Sequence, residues 1–444
     1  MGSGLAEPYT EAHRRSQDPG WSWALAGGLL ASCVVVPCLF TTRLDAVFVV
    51  PKLAALWGAL ALSLAIIAGG VLFSGRLPRA TRSLPAVEVA VASFLVLNVA
   101  AWGFSTDRRQ SLYGERLQYQ GLLTVLLYVS FFYVARLAVT DARRMRLLVF
   151  AVATGATLVS GYALVQRAGL DPIWEGYLPA GRVFSSIGQS NALAAYLVLA
   201  IPVSASLLFR TKALSRSLLL LLLAAMTVAF FVTGSRGGYL GFLAMLTVLA
   251  VGWQRRLGVR TWRASYVLAI ALATGATIVA LGQLPRTSLR GDESVRFHLD
   301  AWRVAAQIAV EHPALGTGQE TFPDVFPRYS HALLPPDRAS SLDAFRVESP
   351  HNVYLAVAAG AGFPALVGYL GIIAGFAVAA TRAARSATRE VRVALVAVLA
   401  AGAGHVVTDA FMTADVTSTW LFWVLMGAGL GLVSGSGVAT ATSR

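Results

Sequence analysis

The chain has 444 residues, of which 56% are hydrophobic and only 13% charged, where a soluble protein would carry about a quarter. That excludes a water-soluble globule, and the apolar residues fall in runs near the ~20 residues that cross a bilayer. The formal charge of +14 does not describe a nucleic-acid binder, because the arginines sit in short loops between apolar runs.

Residues 1–23 form a polar N-terminal segment of mixed charge, expected to be cytoplasmic. It is not a cleavable signal, since the next apolar run lacks a cleavage site and many runs follow. Cys33 and Cys38 share that first run, so neither a disulfide framework nor a zinc site is indicated. Twelve spans are predicted, at 24–41, 53–73, 85–104, 121–140, 146–166, 190–209, 217–234, 237–254, 264–283, 353–380, 393–410 and 419–436. The chain then divides into 24–283 with nine spans, a large outer loop at 284–350, 351–436 with three spans, and a cytoplasmic tail at 437–444.

The loops alternate in character. Arg76, Arg79 and Arg82, then Arg143, Arg144 and Arg146, then Arg210, Lys212 and Arg216, then Arg255 to Arg263, then Arg382 to Arg392 fall in one set. Twelve spans put all of these, with Arg14 and Arg15, on one side, which the positive-inside rule makes cytoplasmic together with both termini. The other loops are longer and should be poor in arginine. They nevertheless hold Arg108, Arg109, Arg116, Arg167, Arg182, Arg296, Arg303, Arg338 and Arg346, among others. Topology does not account for that excess; an anionic ligand at the outer face would.

The large loop contains an amphipathic helix, with Val295, Leu299, Trp302 and Ala306 on one side and Arg296, Asp300, Arg303, Gln307 and Glu311 on the other. His312-Pro313 ends it, and Gly316 and Gly318 make turns. At the loop's end Glu348-Ser349-Pro350-His351-Asn352 leads into the apolar run Val353 to Ala380, which holds a histidine at the mouth of a membrane helix. By itself that stretch equally fits a plain capped helix start in the headgroups.

Further features gather at outer span ends. Gly181 to Asn191 leads into the sixth span, with Ser190 or Asn191 suited to capping and Arg182 nearby, either an ordinary capped loop or an anion site. Thr233-Gly234-Ser235-Arg236-Gly237 reverses the chain with almost no loop and leaves Arg236 at the membrane boundary, where it snorkels or holds a ligand. His405 and Asp409 lie one helical turn apart near the outer end of the eleventh span, as a structural pair or a functional one. No Cys, His or acidic residues have metal-like spacing, so neither a metal nor a cofactor is expected. Arginine forks match phosphate oxygens and can stabilise a pyrophosphate leaving group, while a histidine accepts a hydroxyl proton. Such chemistry suits transfer of a glycan from a lipid pyrophosphate.

One set of features, taken in order, is similar to the O-antigen ligase and O-antigen polymerase superfamily. It comprises Arg182, Gly188 and Asn191; Gly234-Ser235-Arg236-Gly237; Arg296, Trp302, His312-Pro313 and Gly316-Thr317-Gly318; and His351-Asn352 with Tyr354-Leu355 and Gly362. The stretch Ser111-Leu112-Tyr113-Gly114 to Gln120-Gly121 also resembles an outer loop of these proteins. The resemblance implies an all-α polytopic membrane protein of the GT-C-like glycosyltransferase type. It would act at the outer face of a bacterial cytoplasmic membrane and take a glycan from undecaprenyl pyrophosphate without a metal. The acceptor would be a hydroxyl of lipid A core or another envelope glycan or lipid, or, for a polymerase, another repeat unit. Carried over, His351 would activate or orient the acceptor hydroxyl, and Arg182, Arg236 and Arg296 would bind pyrophosphate. Asn191, Glu348, Asn352 and Asp409 would support them. The rival classes are a transporter or lipid flippase, which fits the same span count, and a non-catalytic scaffold.

Overall fold

The computed structural model describes residues 20–74, 84–209, 213–257, 293–344 and 346–435. The chain is an all-α polytopic membrane protein. Nine of the described helices are long and apolar enough to cross a bilayer, and Leu122–Ala138 and Arg236–Gly252 are shorter apolar helices of the same kind. The membrane helices up to the large loop are α1 (Trp21–Val35), α2 (Val50–Ser74), α3 (Pro85–Gly103), α5 (Leu122–Ala138), α6 (Ala142–Arg167), α7 (Ser190–Ala205), α8 (Ala213–Val232) and α9 (Arg236–Leu257), with the short outer helix α4 (Arg108–Tyr113) between α3 and α5. After the loop come α13 (Val353–Ser386), α14 (Arg389–Asp409) and α15 (Val416–Gly435). Each predicted span coincides with one of these helices except the ninth, 264–283, which lies outside the described residues. So do Arg14, Arg15, Arg76, Arg79, Arg82, Arg210, Lys212, Arg260 and Arg263.

Burial sorts the helices into inner pillars and a lipid-facing ring. The apolar window of α15 is 94% buried and that of α7 78%, against 17% for α2. Leu72 and Phe73 on α2 are almost fully exposed from the protein, as side chains in acyl chains should be. With lipid as apolar as leucine, close backbone approach holds such helices together. Gly427, Gly431 and Gly435 form a small-residue seam on α15, where an added Cβ would come within 2.1, 2.5 and 1.8 Å of backbone oxygens of Phe132, Arg136 and Thr140. Gly241 of α9 and Gly404 of α14 meet in the same way. Near the predicted cytoplasmic ends, buried Arg136 pairs with Glu88, and buried Arg144 donates to Ser22 and lies over the Trp23 ring.

The described residues of the loop between α9 and α13 fold into three helices where one was expected: α10 (Glu293–Glu311), α11 (Phe322–Leu333) and α12 (Pro336–Ala344). They share a small core of Val304, Ile308, Phe326 and Leu342, closed onto α13 through Ala359 and Leu355. The helix α10 is present as expected, but its packed face is Ala301, Val304, Ala305, Ile308 and Ala309. Of the expected apolar side, Leu299 is 55% exposed and Trp302 contacts Phe411 at 5.9 Å between ring centroids. The alanine-rich stripe wins because small side chains let α10 approach its neighbours closely. Asp300 accepts from Arg338, which also pairs with Glu293, and this ties α10 to α12.

The helix α13 is broken at Gly362, whose φ of 83° only glycine adopts without strain. The loop 313–318 fills the break: Thr317 N–H donates to Ala359 O (2.9 Å), Gly318 N–H to Gly360 O (2.9 Å), and Phe363 N–H to Pro313 O (2.9 Å). Irregular backbone at membrane depth is thereby satisfied by protein. A Cβ on Gly362 would sit 2.4 Å from the Ala314 backbone. Gly362→Ala is therefore expected to cost more than about 2 kcal/mol, from left-handed strain and a backbone clash together. The check is a lowered thermal midpoint in detergent beside a neutral lipid-face variant such as Leu72→Ala.

Candidate active site

The loops predicted to face outward meet at one end of the bundle. The Thr106 N–H donates to Thr317 O (2.9 Å), Gln118 to the Glu348 carboxylate (3.0 Å), and Arg182 to Thr233 O (2.6 Å). Arg182 also donates to the Asn191 side-chain oxygen (2.7 Å). Asn191 thus serves as an arginine acceptor and not as a helix cap; the residue before α7 is Gln189, which makes no side-chain cap bond. Gly234 packs against Arg182 with a φ of 62°, a left-handed conformation that favours glycine. Arg236 begins α9 immediately after, with the Ser235 hydroxyl accepting from Gly238 N–H (3.2 Å). Burial pulls the Arg182 pKa down; Tyr239 opposes this and the like charge of Arg236 adds to it. Two guanidiniums that repel each other beside a helix N-terminus make a site that favours an anion.

Beneath this arginine shelf lies Lys52, fully buried, donating to Ser186 O (2.7 Å) and Ile187 O (3.3 Å) from the first turn of α2. It anchors the turn that follows Arg182. The sequence reading passed over it, although a lone lysine inside an apolar run is a signal it could have used.

His351 lies on the other side. Its φ is 48°, which turns the chain sharply before Asn352 caps α13 by accepting from Leu355 N–H (3.0 Å). The Nδ1 shares a hydrogen bond with the Thr413 hydroxyl (3.2 Å). That hydroxyl also meets the Ser349 hydroxyl, which accepts from His351 N–H (3.2 Å). Two proton arrangements satisfy these contacts, and the one with Nδ1–H donating to Thr413 and Thr413 to Ser349 leaves Nε2 as the proton acceptor. Thr413 carried no sequence signal, since it sits 62 residues from His351.

The rings of His298 and Phe297 stand 5.3 and 5.6 Å from His351 between centroids. Burial, then the neighbouring His298, push the His351 pKa down to about 4. With its pKa depressed, the ring is neutral everywhere above about pH 4. In histidine-labelled protein its imidazole signals, assigned by comparison with His351→Ala, are expected to stay those of a neutral ring from pH 8 to pH 5. A transition near the ordinary 6.5 would contradict this.

Continuous packing joins the two sides. Trp302 meets Phe411 at a tilt (5.9 Å) and His298 on its own helix edge-to-face (6.4 Å), and Gly237 packs against Phe411. The loop between α14 and α15 therefore supports Arg236's neighbour through Phe411 and His351 through Thr413. Arg296 is exposed on α10, whose neighbouring residues Phe297 and His298 reach His351. Asp409 is buried against His405 at 3.4 Å, on the helix that leads into that loop.

His351, Asn352 and Glu348 line a cavity of about 120 Å³ at this end, about four waters' worth at ~30 Å³ each. Glu320 lines it too, its carboxyl lifted to about 7 by burial against the hydrogen bond from Glu115 N–H, with repulsion from Glu115 and Glu348 adding. A larger cavity of about 280 Å³ surrounds the Arg146–Glu390 pair at the opposite end and holds none of the predicted site residues.

Residues 219–370 match the family model described as O-antigen ligase. This stretch is similar to the O-antigen ligase family domain. It runs from α8 through Arg236 and the whole outer loop to His351 and the break in α13, and Arg182 lies upstream of it. That likeness supports an activity of the ligase and polymerase type, that of a glycosyltransferase-like enzyme. No curated protein matches the chain.

Proposed function

We propose that this membrane protein is an O-antigen ligase-type glycosyltransferase. It moves a glycan from undecaprenyl pyrophosphate to an acceptor hydroxyl at the outer face of the bacterial cytoplasmic membrane, with both termini cytoplasmic and without a metal. The observation that carries this is the placement, at one end of the bundle, of the Arg182–Arg236 shelf and of a neutral His351 whose Nδ1 is engaged by Thr413.

In this reading the guanidiniums bind the donor pyrophosphate and take up the charge that develops as it leaves. The acceptor oxygen attacks the anomeric carbon, the bond from that carbon to the pyrophosphate oxygen breaks, and its electron pair goes to the pyrophosphate. The hydroxyl proton passes to His351 Nε2. A ring with a pKa near 4 is a weak base at rest, but it is sufficient once the new carbon–oxygen bond makes that proton strongly acidic. Until then it orients the hydroxyl. Asn191 holds Arg182 in place, and Asn352 and Glu348 shape the turn around His351. Arg296, exposed on α10, is a peripheral phosphate contact.

The test is incubation of purified protein with undecaprenyl-pyrophosphate glycan and candidate acceptors, with products read by mass. Expected are a product heavier by the glycan and release of undecaprenyl pyrophosphate. Movement of intact donor between leaflets of a vesicle without covalent change would establish the transporter reading instead.

A further inference from the structure

The arginine shelf is cationic, whereas among the described residues no lysine or arginine lines the cavity beside His351, and its acidic side chains are Glu320 and Glu348. A phosphate placed there would meet carboxylates and no compensating cation. The cavity is instead built as polyols require. Its amides are held in a fixed network: Gln319 donates to Asn98 O and to the Asn98 side-chain oxygen (both 2.8 Å), and Tyr128 donates to Gln120 (2.8 Å). Tyr369 and Trp423 form an aromatic wall, with ring centroids 6.3 Å apart. A pyranose has an apolar C–H face and a rim of hydroxyls, which match an aromatic wall and an amide and carboxylate edge.

We propose that this cavity is the acceptor subsite, and that it takes a neutral or amino-bearing pyranose while excluding one that carries a phosphate or carboxylate. The inference rests on the transferase reading for the word acceptor, but the saccharide preference stands on the cavity's lining. A lining that includes His351 and, among the described residues, no arginine is what assigns the acceptor and not the donor pyrophosphate to it. Glu348, with the ionised fraction of Glu320, then sets specificity by repelling anionic rings.

The test measures equilibrium binding of the octyl β-glycosides of glucosamine, glucose and glucuronic acid to the full chain in nanodiscs at neutral pH. The glucosaminide is expected to bind at least about tenfold more tightly than the glucuronide. That ratio should fall toward unity in Glu320→Gln/Glu348→Gln, with each single variant showing part of the fall, and should survive Arg236→Ala. Equal or tighter glucuronide binding, no binding of any glycoside at millimolar concentration, or an unchanged ratio in the glutamine variants overturns the proposal. So does displacement of the glycosides by undecaprenyl-pyrophosphate glycan but not by undecaprenyl pyrophosphate, which would seat the donor's own sugar in the cavity. Binding of undecaprenyl pyrophosphate is measured in the same samples. Its absence alongside an intact glycoside ratio counts against the transferase reading alone, and its presence with transfer but no ratio counts against the subsite alone.

Discussion

His351→Ala is expected to lower transfer by roughly 10³-fold, within the range for loss of a positioned general base, with membrane insertion and thermal midpoint little changed. The side chain contributes one hydrogen bond, to Thr413, and packs near Phe297 and His298 at the edge of a cavity. Its removal therefore opens space next to existing solvent and leaves no buried charge behind. The loss should appear in kcat and kcat/KM together, because the ring acts on the proton as the bond forms and binds neither substrate strongly. Donor affinity, read by binding of undecaprenyl pyrophosphate, should stay as in the parent protein. Full transfer by His351→Ala would remove the histidine from the mechanism.

Arg236→Ala is expected to reduce donor kcat/KM by about 10²- to 10³-fold, the scale for losing one charged donor to a leaving oxyanion. The acceptor KM should not move. Arg182→Ala should give a similar loss with added local disorder, since Arg182 also joins the loop before α7 to the end of α8 through Asn191 and Thr233. Arg236→Lys should recover only part of the activity, because an ammonium cannot grip two phosphate oxygens in one plane. The measurement is steady-state kinetics on defined lipid-linked donor at fixed ionic strength. Normal donor use by Arg236→Ala would take the pyrophosphate away from this shelf.

Several parts of this site were legible before any coordinates. The arginine excess in outer loops pointed to Arg182 and Arg236, and the Pro350-His351-Asn352 turn pointed to the histidine. Each carries a local signature, a charge where topology disfavours one or a capping residue at the head of an apolar run. Thr413, His298 and Glu320 carry none. Thr413 and Glu320 are ordinary polar residues in loops and His298 is one on α10, and only packing sets them around His351. The face of α10 was misjudged for a related reason. The helix carries two apolar stripes, one of Leu299 and Trp302 and one of Ala301, Val304, Ala305 and Ile308. Periodicity detects both and cannot tell which finds a partner.

The sequence by itself determined that the chain lives in a membrane, where most of its spans run, and which loop ends are rich in cations. Transfer of a helix into lipid is close to a sum over some twenty neighbouring residues, so one window of sequence contains the answer. Tertiary structure alone decided that Arg182 is tied to Asn191 and Thr233 within reach of the Arg236 charge, that His298 and Thr413 meet His351, and that Glu320 and Glu348 line a cavity with that histidine. Those residues belong to separate helices and loops, and they meet only because glycine seams and a broken α13 let the backbones approach closely enough to bring them together.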